Sequence, residues 1–526
     1  MDDRPDAGLE RVRGLAQELA ASLGEEARRT TTVGIERAVL RLVGVGGLDR
    51  EGRPLAASVV ERAAGGDAGR LARGVLLPFV AAMSLYEAPP ADIAQDVATG
   101  AIDLDLEAEA LADPRRAAEV RSSAEALVSA AFARIEADRT ARMDLLDVLG
   151  DPPPPLVGFP VRATHVDEAR DEVAVLVVGG ADVVRIDVPP SRELADLVPD
   201  TSGLAHSEAE ARAARDARLA GETAPTGSQR ALAVIRSVVD EAAAERPAYA
   251  RVLAVPRPLG APETAVVASA ERLDIVAADP MSEIVDGGID PARALADHSF
   301  LRRVLRRAGS GVILGAGPLV MGPDFAAGVP ERTVVHVGRA LALQALSVEL
   351  ARADGMDDAA LLLGTLPAWM LDDRTAGAVA IAYVAAQRRL FPGLGLALEE
   401  PSGDGPARDR WRQLHTLALI VAGGAALVGR DTDLDGAAAA AAETRTASAG
   451  AALIAAEAGP IGFGPGFGEA GAAIAASAAA TLESLRGGGW EAILGPGGAG
   501  VGRLATGTVA RRADAPDVAA MGTPSA

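Results

Sequence analysis

The stretch Asp151-Pro152-Pro153-Pro154-Pro155, followed by the apolar run Leu156–Ala163, divides the 526-residue chain into two parts with different patterns. Four consecutive prolines lack the amide hydrogens that a helix or a sheet needs, so this stretch ends the structure before it. The apolar run after the prolines has the length and composition of a buried strand. We therefore expect a domain boundary at about residue 150.

Short apolar runs of this kind recur after residue 150, and Ala-rich helical stretches separate them. The predicted strands are Leu156–Ala163, Asp182–Val188, Arg251–Val255, Leu273–Ala277, Gly311–Leu314, Leu361–Gly364 and Leu394–Leu398. The predicted helices between them are Ala231–Glu245, Pro291–Ala308, Val335–Ala353 and Thr375–Leu390. About seven strands, most of them followed by a crossover helix, indicate a parallel α/β fold. A TIM-like (β/α)8 barrel fits this count better than an open doubly wound sheet.

The remainder of the chain has a helical pattern. Apolar residues at Leu9, Val12, Ala16 and Leu19 fall on one helical face, and similar spacing continues to about residue 148. The chain after about residue 405 is mostly helical in pattern and very rich in Ala and Gly. We predict three parts. Residues 1–150 form an N-terminal helical region, 151–404 the barrel core, and 405–526 the last barrel element or elements with a helical extension.

The composition excludes several classes of partner. The net charge is -22 and the pI about 4.8, which argues against nucleic acid and against anionic membrane surfaces, because both attract Lys and Arg. The acidic N-terminus lacks an apolar signal core, and runs such as Leu417–Val421 are too short to span a bilayer. The chain has no Cys, which is typical of a cytoplasmic protein and removes thiolate chemistry.

The sequence contains no lysine, so all 51 Lys and Arg positions are Arg. A pyridoxal phosphate (PLP) cofactor held as an internal aldimine needs a lysine amine. Any such lysine must therefore come from a second polypeptide.

Two motifs suggest ligand binding at first sight. Residues Asp431–Gly436 match the first half of an EF-hand calcium loop, but the twelfth position, which needs a bidentate Glu, is Ala442. We interpret this motif as an acidic turn that caps the next helix. The Gly-rich segments Gly462–Gly466 and Gly495–Gly498 lack the Gly-Lys-Ser/Thr ending of a phosphate-binding loop, and we interpret them as ordinary loops.

The five histidines do not predict a metal site, because no two of them stand four residues apart on a helix. They are His165, His206, His298, His336 and His415. His165 closely follows the first predicted strand, so it alone is a candidate for the pocket.

In a TIM-like barrel, ligands bind to the loops that follow the carboxyl ends of the strands. The polar residues at these positions are Arg192, Glu193, Arg257, Ser282, Glu283 and Asp286. Arg192, Glu193, Arg257 and Ser282 are our candidate ligand-binding residues. For each of them, a solvated loop position is the alternative.

One segment resembles a known family. The run Thr30-Thr31-Thr32-Val33-Gly34-Ile35-Glu36-Arg37-Ala38-Val39-Leu40-Arg41-Leu42-Val43-Gly44-Val45 resembles the N-terminal signature of the lysine 5,6-aminomutase α subunits. Three further blocks follow in the family's order. They are Gly180–Val183 with Leu197–Pro199, then Pro262-Glu263 with Glu271–Val276, then Phe300–Leu314. Weaker similarity extends the resemblance over about residues 20 to 510.

The resemblance implies a TIM-like barrel with added helices that works with a smaller β subunit. In this family the β subunit holds adenosylcobalamin on a Rossmann-like domain and supplies the lysine that binds PLP. Together the subunits carry out a radical 1,2-amino shift on a lysine-like diamino acid. The lack of lysine in this chain agrees with that division, and so does the lack of the Asp-x-His-x-x-Gly cobalamin motif.

The chain departs from the family pattern at the positions that the resemblance assigns to the PLP pocket. By an approximate alignment these positions hold Val188, Glu193, Arg257, Ser282, Gly287 and, near the expected acidic residue, Leu319. A carboxylate at Glu193 repels a phosphate dianion, and Val188 cannot donate a charged hydrogen bond, although Arg257 restores one contact. These changes argue against PLP in the family's pose. Two alternatives are a non-catalytic relative and a PLP-independent barrel enzyme that binds an anionic small molecule.

Overall fold

The protein is described here by a computed structural model. The structure describes residues 4–47, 49–51, 53–163, 166–188, 229–246, 248–256, 260–285, 289–315, 330–356, 360–364, 374–400, 409, 411–412, 414–415, 418–419, 421, 425–458, 465–494, 509–512 and 517–520.

The N-terminal region is helical, as its apolar spacing predicts. Its elements are α1 (Arg4–Arg29), β1 (Thr30–Thr32), α2 (Val33–Leu42), α3 (Leu55–Ala64), α4 (Ala68–Arg73), α5 (Leu76–Tyr86), α6 (Pro90–Thr99), α7 (Leu104–Ala110) and α8 (Pro114–Leu149). Leu9, Val12 and Ala16 are buried on one face of α1. The side chain of Asp113 caps α8, where it accepts a hydrogen bond from the amide of Arg115.

Eight parallel strands form a closed barrel, which confirms the predicted fold class. They are β2 (Leu156–Pro160), β3 (Val183–Val188), β4 (Arg251–Pro256), β5 (Ile275–Ala277), β6 (Gly311–Leu314), β7 (Ala360–Leu363), β8 (Gly395–Glu399) and β9 (Leu427–Gly429). Each strand pairs with the next along the chain, and β9 pairs with β2 to close the ring. The order is that of a TIM barrel.

The remaining described elements surround the barrel or extend from it. They are α9 (Val166–Val178), α10 (Gln229–Ala244), α11 (Ala261–Ala270), α12 (Pro280–Val285), α13 (Pro291–Ala308), α14 (Pro330–Ala353), α15 (Arg374–Leu390), α16 (Ala437–Ala458), α17 (Pro465–Leu494) and β10 (Val509–Arg511). A kink at Gly489, whose φ is 63°, interrupts α17 at the end of the run Gly487-Gly488-Gly489. Residues Thr333–Ala353 of α14 are long and apolar enough to cross a membrane, but 83% of the most apolar part is buried in the protein.

The eighth barrel strand, β9, was not among the predicted strands. It has three residues, which is too short for a period-2 pattern to appear in the sequence. It becomes a strand because it pairs on both sides, with Leu156–Gly158 of β2 and with Ala397–Glu399 of β8. The domain boundaries at 150 and 404 stay predictions.

The family-like segment at Thr30–Val45 joins the N-terminal helices to the barrel. Thr32 caps α2 by accepting from the amide of Ile35, and its hydroxyl donates to Asp297 Oδ1 of α13 over 2.5 Å. The Thr31 hydroxyl donates to Glu36 Oε1 over 2.6 Å, and all of these groups are buried. The segment is therefore a structural joint, because its polar residues contact one another and a barrel helix.

Candidate functional site at the barrel mouth

The carboxyl ends of the eight strands define one end of the barrel, which we call the mouth. Residues at these ends include Pro160, Ala277, Leu314 and Glu399. TIM barrels bind their ligands at this end, because the loops that follow the strands gather there.

An ion pair crosses the inside of the barrel at the mouth. Arg185 Nη1 of β3 lies 3.1 Å from Glu399 Oε2 of β8, and the two side chains are 29% and 26% exposed. The strands β3 and β8 are not neighbours, since β9 and β2 lie between them in the ring. The pair therefore places one positive and one negative group on facing walls of the same opening.

Two glycines make room for this pair. Gly158 of β2 is opposite Gly429 of β9, which is in turn opposite Glu399, so the two intervening strands have no side chains at the register position of Glu399. A Cβ atom at Gly429 would lie 3.3 Å from Glu399 Cγ, and one at Gly158 would lie 3.4 Å from Val183 Cβ. A cavity of about 70 Å³ results, lined by Arg185, Glu399 and both glycines among other residues. It has room for about two water molecules or one polar group of a ligand.

A second charged cluster follows β8 and β9 directly. The Glu400 side chain is fully buried and accepts from Arg430 Nε over 2.9 Å and from the amide of Asp431 over 3.1 Å. Arg430 also donates to the Thr444 hydroxyl of α16 over 2.6 Å. Because its hydrogen bonds are satisfied within the protein, this cluster acts as a scaffold that holds the ends of β8 and β9 beside α16.

The EF-hand-like segment is part of the same edge. Arg162, which follows β2, donates to Asp431 and, over 3.0 Å, to Asp433. Asp433 precedes a 3₁₀ turn at Leu434–Gly436 and makes no capping hydrogen bond to it, and the capping of the following helix by this acidic turn stays a prediction. No group of three or more His, Asp or Glu within the described ranges is placed to hold a metal ion.

A buried imidazole lies beside the second cluster. His415 stacks on Trp411 with ring centroids 4.3 Å apart, and neither ring nitrogen has a hydrogen-bond partner in the described part of the chain. Burial, with the nearby charge of Arg430, lowers the pKa of His415 to about 4. His415 is therefore neutral at pH 7.

A buried carboxylate ties the ends of β5 and β6 together. Asp279 accepts from the Ser347 hydroxyl of α14 over 2.6 Å and from the amide of Gly315 over 3.0 Å. Burial raises its pKa above the ordinary range, although these hydrogen bonds favour the charged form. Asp279 fixes the position at which α12 starts, since Met281 also donates its amide to it.

Ser282 is the one described residue among our four candidates. It lies on α12, directly after β5, and is half-buried with its amide donating to Asp279 O over 3.2 Å. Its neighbour Glu283 is buried and lies 3.0 Å from His298 Nε2. Arg192, Glu193 and Arg257 lie outside the described residues, as do Asp286, His165, Gly287 and Leu319. Their roles stay predictions.

Arg185 and Glu399 were not predicted as site residues, because they lie within the strands and not in the loops that follow them. A signal was present in both cases. Arg185 interrupts the apolar strand Val183–Val188, and Glu399 ends the apolar run of β8. A charged residue in a barrel strand, at a position that alternates with buried ones, points into the barrel.

The closed ring of eight parallel strands, with its accessory helices and the charged groups at its mouth, defines a TIM-barrel protein. Residues 5–397 match the family model described as the D-lysine 5,6-aminomutase TIM-barrel domain of the alpha subunit. This match covers most of the chain, and the chain belongs to that family.

Two relatives agree with this assignment. The lysine 5,6-aminomutase alpha subunit of Acetoanaerobium sticklandii is 26% identical over 309 residues, which is 59% of this chain and 55% of that protein. The protein of the same name from Fusobacterium nucleatum is 27% identical over 314 residues, with 59% and 56% covered. The matched region therefore spans about half the length of these curated relatives.

The described mouth residues do not fit the phosphate of PLP. A phosphate dianion needs cations that are not already neutralised. The described arginines at the mouth each pair with a carboxylate, namely Arg162, Arg185, Arg412 and Arg430. The sequence points the same way, because Val188 and Glu193 stand where the resemblance expects an Arg and a Ser that hold the phosphate.

Proposed function

We propose that this chain is the barrel subunit of an aminomutase-type enzyme that moves an amino group between neighbouring carbons of a lysine-like diamino acid. Family membership supports the class of reaction. The cross-barrel pair of Arg185 and Glu399 supports the class of substrate, and it is the observation on which the proposal depends.

Arg185 would bind the substrate carboxylate and Glu399 an ammonium group. Each residue now neutralises the other across 3.1 Å. A ligand with both charges exchanges this one ion pair for two, so no charge at the mouth loses its partner on binding. A ligand with a single charge would replace the ion-pair partner of only one of the two residues.

The proposed assembly includes a smaller β subunit that carries adenosylcobalamin and supplies any Schiff-base lysine, because this chain has none. Adenosylcobalamin would supply the radical that starts the amino shift. The described residues do not fit a PLP phosphate, so we assign no step at this mouth to PLP. We further propose a cytoplasmic location, on the basis of the cysteine-free composition.

The alternative is a non-catalytic relative that keeps the barrel as a binding subunit. The pairing of the described mouth arginines with carboxylates favours it, because a pocket that no longer holds a phosphate does not need free cations.

Two measurements test the proposal. First, calorimetry with D-lysine should show saturable binding to the full chain. Arg185→Gln and Glu399→Gln should each weaken it by roughly tenfold or more, the effect of one lost charge-assisted contact. Arg121→Gln, at an exposed position on α8, is the matched control and should bind D-lysine normally.

Second, the chain should be combined with its small partner subunit, PLP and adenosylcobalamin. Substrate-dependent loss of the cobalt–carbon absorbance, with a shifted amino group in the product, is the expected result. Lysine binding without cobalt–carbon cleavage would support the non-catalytic alternative. Binding that is insensitive to both mouth variants would refute the assigned site.

A further inference from the structure

A second concave site lies on the flank of the barrel, and none of its lining residues lines the cavity at the mouth. It is a crevice of about 320 Å³ between the end of α2, the middle of α8 and the end of α11. This volume is at the lower end of the range for small-molecule pockets, and such pockets often lie where two structural units meet. Here the units are the N-terminal helices and the barrel.

The floor of the crevice is aliphatic. It is formed by Leu42, Val45, Ala131, Ile135 and Val266, and each of these residues is buried. The hydroxyl of Ser269, which also lines the crevice, is occupied because it donates to Val266 O over 2.9 Å. The floor therefore suits an apolar group rather than a polar one.

The rim carries charges of both signs. Arg41 is neutralised by the buried Glu263, at 2.9 Å. Arg134 donates to Leu42 O over 3.0 Å, and neither Arg134 nor Asp138 forms an ion pair with any described residue. The remaining N–H donors of Arg134 therefore have no charged partner among the described residues. The same holds for the carboxylate of Asp138.

The two unpaired charges are close together. Arg134 and Asp138 are four residues apart on α8, so their Cβ atoms are about 6 Å apart on one face of the helix. They do not pair with each other because Arg134 reaches across the crevice to Leu42. A ligand that neutralises both carries one negative and one positive group close together, as the carboxylate and ammonium of an α-amino acid are.

We propose that this crevice binds an α-amino acid with an aliphatic side chain. Arg134 binds the carboxylate, Asp138 binds the ammonium, and the side chain lies on the aliphatic floor. The site is separate from the barrel mouth and does not depend on the function proposed there. A ligand at this place contacts both the N-terminal helices and barrel helix α11, so it stabilises their association.

Four probes test each part of this ligand. L-leucine has both charges and the branched chain, 4-methylpentanoate lacks the ammonium, 3-methylbutylamine lacks the carboxylate, and glycine lacks the chain. Calorimetry on the full chain should show saturable leucine binding at millimolar or lower concentration. Each simplified probe should bind roughly tenfold or more weakly, because each loses one charged contact or the buried chain.

Three variants and one control locate the binding. Arg134→Gln and Asp138→Asn should each weaken leucine binding by roughly tenfold, and Arg121→Gln, on another part of α8, should not change it. Ala270→Phe fills the edge of the crevice at an exposed position and should block binding without affecting the fold.

Leucine binding that survives Arg134→Gln, Asp138→Asn and Ala270→Phe would place it elsewhere and overturn the proposal. The absence of saturable leucine binding would also overturn it. Equal binding of 4-methylpentanoate would show an anion site instead of an amino-acid site. None of these results depends on lysine binding or on activity, so failure here and failure of the mouth proposal are distinguishable.

Discussion

Replacement of Arg142 by Met should destabilise the protein by about 3 kcal/mol. Arg142 extends from α8 into the amino-terminal end of the barrel and is 7% exposed. It donates to Ala308 O over 2.9 Å and to Gly309 O over 2.5 Å, at the end of α13. It also donates to Leu273 O over 3.0 Å, just before β5.

The magnitude follows from what each partner loses. Leu273 O keeps the hydroxyl of Ser310, at 2.6 Å, so it remains satisfied. Asp274, 3.7 Å from Arg142, keeps Arg236 and the Tyr249 hydroxyl. The carbonyls of Ala308 and Gly309 lose a charged donor, at roughly 1.5 kcal/mol each. Met keeps the apolar stem and the helix propensity of Arg, so backbone effects are small.

Urea unfolding monitored by circular dichroism measures this loss, and Arg121→Met on the exposed face of α8 is the control. The control should change the free energy of unfolding by less than about 0.5 kcal/mol. If Arg142→Met behaves like the control, the hydrogen bonds between α8 and the barrel do not hold the two units together.

Two variants should change the pH dependence of stability in opposite directions. Burial raises the pKa of Asp297 from 3.8 to about 6, so the folded protein holds this proton more tightly than the unfolded chain. The resulting contribution to stability is complete below pH 3.8 and is lost as the pH rises through 6. Asp297→Asn should remove this loss of about 3 kcal/mol between pH 4 and 6, measured by urea unfolding against wild type. The pKa of His415 is lowered to about 4 from 6.5, so its contribution is present above pH 6.5 and lost as pH falls through 4. His415→Phe should remove that loss. If the free energy of unfolding of either variant depends on pH as it does in the wild type, the pKa shift assigned to that residue is contradicted.

Much of the fold could be predicted because its signals are local. The strand Gly311–Leu314 has the predicted bounds because a continuous apolar run marks it. The helix Pro291–Ala308 has the predicted bounds because a proline begins it and a glycine follows its last residue. Other ends moved by a few residues. The first barrel strand stops at Pro160 instead of Ala163, where its pairing with β3 ends.

The candidate site was less predictable, because its residues come from separate elements. Ser282 was found since it directly follows a predicted strand. Arg185 and Glu399 were not found, because nothing in either local stretch indicates that the two residues meet. They are more than two hundred positions apart in the chain.

The sequence by itself determined that this protein is a lysine-free, cysteine-free α/β barrel protein with an N-terminal helical region. Composition and the spacing of apolar residues are sufficient for that, because they act over a few residues. Only the closed barrel decided that Arg185 faces Glu399 across paired glycines, and only the packing of α8 left Arg134 and Asp138 above an aliphatic floor. Both arrangements depend on contacts between distant segments, which form when the ring closes and the helices pack against it.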